Sequence, residues 1–207
     1  MTGPGERYHF PWWLIVAIFV AALAPRLALI GLFPQAYGDA GIYLTVARNI
    51  FQNLCVSMSD PATAGCAPHW GGNQLPGYPA FISLVWFVQG ESLTAVRITQ
   101  ALAATAAICW MAFALGRLTN SRPVVLLAAL ILALSPVAIG WPRHLFTETL
   151  ALATTTWVFA ELVLSLADRR LRIIPLALAL AAAVFVRYDG IWLCLPTALC
   201  AFLLHPP

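Results

Sequence analysis

The sequence predicts an all-α polytopic membrane helical bundle, and three observations carry that expectation. Hydrophobic residues fill 61% of the 207 positions and charged residues only 9%, against roughly 25% charged in an ordinary soluble domain. Several apolar runs approach the roughly 20 residues that a bilayer requires of a helix. The basic residues are all arginine, and five of them fall in short links between those runs, where their position sets sidedness. The net charge of +3 is dispersed rather than clustered, so no nucleic-acid footprint is present.

The first span is expected over 12–33, with Trp12 and Trp13 at the interface and Pro25 and Arg26 interrupting the apolar run. It is longer than a signal-peptide core and lacks a small-residue cleavage site, so it reads as a retained span or an uncleaved anchor, with the same topology. Residues 34–93 form an exoplasmic loop carrying two surface helices. One covers 40–54, where Ile42, Tyr43, Val46, Ala47, Ile50, Phe51 and Leu54 recur at i, i+3, i+4. The other covers 76–90, whose apolar stretch of about 14 residues is short for a span and reads as interfacial or re-entrant.

The remaining spans, within 94–207, are expected at 94–116, 123–141, 145–167, 172–187 and 190–204, about six in all. Arg117 and Arg122 occupy one link, and Arg169, Arg170 and Arg172 another; the positive-inside rule makes both cytoplasmic. Both termini are then cytoplasmic and the 34–93 loop exoplasmic, in a plasma or inner membrane. Residues 1–207 read as a single membrane domain. Runs such as Ala103, Ala104, Ala106 and Ala107 permit close helix approach.

Cys55 and Cys66 lie in the outer loop, where they are either a loop-closing disulfide or two free thiols. A bridge so short constrains the unfolded chain by roughly 2 to 3 kcal/mol. Cys109, Cys194 and Cys200 fall inside spans and read as small packing residues.

The predicted topology gathers Asp39, His69, Arg97, Arg143, His144, Glu148, Arg187 and Asp189 at one membrane face, with Arg26 deeper. Charges at or inside spans cost roughly 2.5 to 3.5 kcal/mol each on insertion scales, and so tend to face a cavity and mark function. Simpler roles compete: Asp39 as an N-cap, Glu148 as a first-turn acid favoured by the helix dipole, Arg187 and Asp189 as a local pair, and Arg97 and Arg143 as lipid-phosphate contacts. A divalent metal would have Asp39, Glu148 and His69 as its candidate ligands, too few and too scattered to define a site.

The ordered segments GDAGIYLTVARNI, LPGYPAFISLVWFVQG, AVRITQAL, ALSPVAIGWPRHLFTETLAL and VRYDGIW resemble the first half of the GT-C membrane glycosyltransferases, a group that includes protein O-mannosyltransferases and lipid A aminoarabinose transferases. The resemblance implies a polyprenyl-phosphate sugar donor and transfer, with inversion, to a protein or glycolipid acceptor on the exoplasmic face. It casts Asp39 as the general base or acceptor-orienting acid, and Glu148 as a second acid shaping the same site. Arg187, Arg97, Arg143 and Tyr78 become candidate phosphate and donor contacts, because guanidinium is permanently charged and binds two oxygens at once.

Two departures accompany the resemblance. The stretch before PGYP is Gly71-Gly72-Asn73-Gln74-Leu75, where many relatives carry a basic residue or an extra proline. The family also continues for several more spans, so a second polytopic subunit supplying them is an expected partner. A noncatalytic relative that binds lipid-linked sugar is the competing reading, and an unrelated small transporter or scaffold the third.

Overall fold

The computed structural model describes residues 11–32, 38–59, 66, 75–119 and 121–204, and these form helices and turns with no strand. His69 lies outside the described residues. The helices are α1 (Trp12–Leu32), α2 (Ala40–Asn53), α3 (Gly77–Gln89), α4 (Leu93–Thr119), α5 (Arg122–Leu134), α6 (Pro136–Gly140), α7 (Glu148–Ala167), α8 (Ile173–Val186) and α9 (Cys194–Leu204). Two 3-10 turns, Trp141–Arg143 and Tyr188–Leu193, follow α6 and α8.

By length and composition α1, α4 and α7 can each cross a membrane, and α5 with Pro136–Arg143, bent by 51°, is either a fourth, broken span or a re-entrant loop. The break has a local cause. Pro136 has no N–H to continue the ladder and disfavours helical geometry in the residue before it; Ser135 accordingly sits at φ −55, ψ 121. The hydropathy of the sequence suggested six spans. The other two are the apolar helices Ile173–Val186 and Tyr188–Leu204. At 14 residues α8 is about 21 Å long, less than the roughly 30 Å of a hydrocarbon core.

The bundle is built around α4. On one side α1 and α5 pack against it through Leu14, Ile18, Ala22, Ile108, Ala112, Val125 and Ala129. On the other, α7 meets it through small residues, with Ala153 against Ala104 and Ala107 and Ala160 near Ala114. Alanine lets the two backbones come close, which is how helices associate where solvent supplies no hydrophobic drive. α8 then packs on α7 through Val158, Leu162, Leu176 and Ala179. The first turns of α4 and α7 and the last turns of α1 and α8 share one end of the bundle.

Helices α2 and α3 cover that end as one unit. The Ser83 hydroxyl donates to the Ala47 carbonyl at 2.7 Å, and Phe51 meets the rings of Trp86 and Phe87. Arg48 and Gln52 both reach Glu91, in the turn before α4. Cys55 and Cys66 form a disulfide, and the buried Asn49 amide donates to the carbonyls of Ser57 and Ser59. The amphipathic face read from the sequence turns Tyr43, Val46 and Ala47 into the core.

Candidate functional site

The site forms where three loops meet under this cover: the Gly38–Asp39 turn, the segment from Trp141 to Glu148, and the turn after α8. Glu148 opens α7, and Arg187 follows the last residue of α8. Arg187 Nη1 donates to Glu148 Oε1 at 3.3 Å and to Thr147 Oγ1 at 3.3 Å, while its Nε donates to Asp189 at 3.2 Å. One guanidinium thus joins two acids and a hydroxyl, and leaves Nη2 without a hydrogen bond among the described residues. Glu148 Oε2 is buried and has no hydrogen-bond partner among the described residues, a costly state for a carboxylate oxygen.

Backbone contact sets where Arg187 stands. A Cβ added at Gly77 would lie 2.1 Å from the Phe185 carbonyl oxygen, so the start of α3 presses directly on the end of α8. Gly190 makes a similar approach to Ala183 from the other side. These are the glycines of the PGYP and RYDG segments. Gly77→Ala is expected to destabilise the protein by about 3 kcal/mol through overpacking against backbone, which a drop in thermal midpoint measured in detergent checks.

Asp39 is exposed. It precedes α2 without a side-chain cap hydrogen bond, so the simple capping role does not describe it, and its carboxylate makes no hydrogen bond or ion pair among the described residues. Gly38 beside it faces the ring of Phe146, which places the turn over the segment leading to Glu148. Tyr43 links the two acids. Burial first, and then the charges of Asp39 and Glu148, push its phenol above the ordinary value, against a hydrogen bond from Thr147 and the charge of Arg187.

The other expected phosphate contacts are placed differently. Tyr78 is fully buried, its ring edge-on to Tyr43 at 5.1 Å, and its hydroxyl donates to Gln100 at 3.0 Å; it stands behind the site. Gln100 passes the connection on, donating at 2.7 Å to the carbonyls of both Pro142 and His144. Arg97 Nε donates to the Arg143 carbonyl at 2.9 Å. Arg97 and Gln100, one turn apart on α4, therefore hold the corner that carries Arg143 and His144. Nothing in the sequence marked Gln100 beyond its being a polar group inside an expected span, which was signal enough to single it out.

Arg143 Nε donates to His144 Nε2 at 3.2 Å, so the imidazole is neutral, with its proton on Nδ1. Burial first, then the charges of Arg143 and Arg97, hold the His144 pKa below the usual value. A histidine whose folded pKa is depressed binds fewer protons than in the unfolded chain, so its contribution to stability is present above pH 6.5 and falls as the pH drops below it. The thermal midpoint is expected to fall between pH 7 and pH 5, and to fall less in His144→Gln.

Among the described residues no three His, Cys, Asp or Glu side chains gather as metal ligands. Two cavities lie near the end of α8, and Arg187 lines the smaller. The larger, about 710 Å3, runs from Gly77, Leu150 and Val186 near the site down to Trp110, Trp157 and Arg172. The smaller, about 470 Å3, lies between α7, Arg187, Asp189 and Trp192.

At the far end of the larger cavity sits a cluster that reading by membrane face passed over. Glu161, 1% exposed, accepts from Trp110 Nε1 at 2.8 Å and Trp157 Nε1 at 3.3 Å, and pairs with Arg172 at 3.0 Å. Asp168 pairs with Arg117 at 2.8 Å. Arg172 therefore does more than mark topology: it neutralises a buried acid and lines the groove. The signal available was an acid in the middle of an expected span.

A family profile described as dolichyl-phosphate-mannose-protein mannosyltransferase matches residues 73–207. The match takes in Tyr78, Arg97, Arg143, Glu148 and Arg187 and leaves Asp39 outside it. No curated protein and no solved structure matches the chain. With well over half its length matched, the chain belongs to the dolichyl-phosphate-mannose-protein mannosyltransferase family of GT-C type membrane glycosyltransferases.

Proposed function

We propose that this protein transfers a sugar from a polyprenyl-phosphate donor to a hydroxyl-bearing protein or glycolipid acceptor, with inversion, on the exoplasmic face of the membrane. The observation that carries the reading is Arg187, held by Glu148 and Thr147 and lining a cavity of about 470 Å3, with the 710 Å3 groove reaching its neighbour Val186. A lipid-borne donor has a hydrocarbon chain and a phosphate joined end to end. The groove suits the first and the guanidinium the second. The site lies at the opposite end from Arg117, Arg122, Arg169, Arg170 and Arg172, which the positive-inside rule assigns to the cytoplasm.

The chemistry follows from the charges. The acceptor oxygen attacks the anomeric carbon, the bond from that carbon to the phosphate oxygen breaks, and its electron pair stays on the departing phosphate. Arg187 stabilises the charge that develops there. Asp39, with no hydrogen bond to its carboxylate among the described residues, takes the acceptor proton. Glu148 is already committed through one oxygen to Arg187, so its part is to hold the guanidinium and to shape the site beside Tyr43. The family's membrane setting and lipid-linked donor agree with this assignment.

The test is reconstitution of the full chain in proteoliposomes with radiolabelled polyprenyl-phosphate mannose and an acceptor extract from native membranes. Release of polyprenyl phosphate in step with acceptor labelling is the expected result. Saturable donor binding without release would instead favour a noncatalytic protein that binds lipid-linked sugar.

A further inference from the structure

We propose that Arg26 is a positioning residue, which from within α1 holds the broken end of α5 and thereby the corner that carries Arg143 and His144 into the site. Its functional consequence rests on the transferase reading; its structural content does not.

Arg26 lies two thirds of the way along an apolar span and is 0% exposed. A charged side chain is expensive there and is normally paired or turned toward a cavity. Arg26 is not paired in that way. Arg26 makes no ion pair among the described residues, and its Nε and Nη2 have no hydrogen-bond partner. Its hydrogen bonds go instead from Nη1 to two backbone carbonyls, that of Ala22 in its own helix and that of Ala133 at 3.0 Å.

Ala133 identifies the purpose. It belongs to the last turn of α5, which ends at Leu134. In an unbroken helix the N–H of Val137 would donate to its carbonyl, but Val137 lies beyond Pro136 in a segment bent by 51°. The carbonyl is thus one of the acceptors that a helix end leaves open, and inside a membrane span water is not there to fill it. The Arg26 guanidinium fills it from the neighbouring helix, joining α1 to the break.

The same corner is gripped from the other side. The carbonyls of Pro142 and His144 accept from Gln100, and that of Arg143 accepts from Arg97. Three polar side chains from α1 and α4 therefore capture backbone acceptors on either side of α6, and α1 packs directly against both α6 and the Trp141–Arg143 turn. A residue that served only to fill the core would not need a permanent charge whose remaining donors go unused.

Hydrogen–deuterium exchange of the full chain in nanodiscs tests this, comparing wild type with R26M and R26K. R26M removes the buried charge but strands the Ala133 carbonyl, so a modest fall in thermal midpoint is expected. Exchange of amides in 137–147 should nevertheless accelerate at least about tenfold, with α7 amides within about twofold of wild type. R26K keeps a charged donor within reach of both carbonyls and should restore most of the protection. Unchanged exchange over 137–147 in R26M would overturn the proposal, as would acceleration spread evenly over all helices. If R26M does not accumulate, R26Q takes its place with the same two criteria, since it has neither the charge nor the reach to bridge both acceptors. Exchange needs no substrate, so a wild-type chain without transfer activity would sink the proposed function and leave this result standing.

Discussion

Asp39→Asn is expected to lower sugar transfer by about 100- to 1,000-fold, the usual worth of a positioned general base, with donor affinity changed by less than about threefold. The asparagine is nearly isosteric. Because the Asp39 carboxylate makes no cap bond to α2, the substitution should leave the fold intact, and an unchanged thermal midpoint would show that. The loss should fall on the chemical step, as a lower single-turnover rate at saturating donor. Asp39 lies outside the residues 73–207 matched to the family, so its assignment leans on position: its turn sits against Phe146, two residues before Glu148, and its carboxylate makes no cap hydrogen bond to α2. Full transfer activity in Asp39→Asn would remove it from the mechanism and move the search for a base to Glu148 Oε2.

Arg187→Met is expected to cost about 100- to 1,000-fold in kcat, the range found when one group stabilising a developing oxyanion is removed, together with weaker donor binding. Both parameters should change because a phosphate is charged in the ground state and more so as the sugar leaves. Arg187→Lys should be intermediate, retaining charge but losing the fork that reaches Glu148, Thr147 and Asp189 at once. Removing the guanidinium also strands Glu148 with neither oxygen satisfied, so the variant should be read beside Arg187→Met with Glu148→Gln. If the double variant regains stability but not transfer, the loss belongs to the phosphate contact. If it regains transfer, Arg187 serves only to neutralise Glu148.

Much of the helical framework was legible because hydrophobic length and period are local properties. α1, α4, α7 and the amphipathic α2 begin and end within a few residues of where apolar runs and periodicity place them. The 76–90 stretch likewise forms a 13-residue helix, short for a span. Less legible was span length: Ser135 and Pro136 read as ordinary residues in a run of apolar positions, yet they bend one span by 51°. Buried partners were harder still. Glu161 has Trp157 one turn away on its own helix, but it gains Trp110 and Arg172 only when α4, α7 and the start of α8 meet, and sequence spacing does not show which polar groups face each other across helices.

The site divides in the same way. The sequence by itself determined the inventory: which acids and arginines sit at the ends of apolar runs, the expectation that they gather toward one face, and that Gly77 precedes Tyr78 and Gly190 follows Asp189. Local composition settles these because the bilayer sorts residues by polarity along each span. Tertiary structure decided the assignments. It gave Arg187 to Glu148, placed Tyr78 and Arg97 behind the site as supports for the Trp141–Arg143 corner, and brought Gln100 and Tyr43 into the network. Hydrogen bonds form over about 3 Å, and that proximity between residues 22 to 107 positions apart is created by packing the helices, not by the pattern of any one of them.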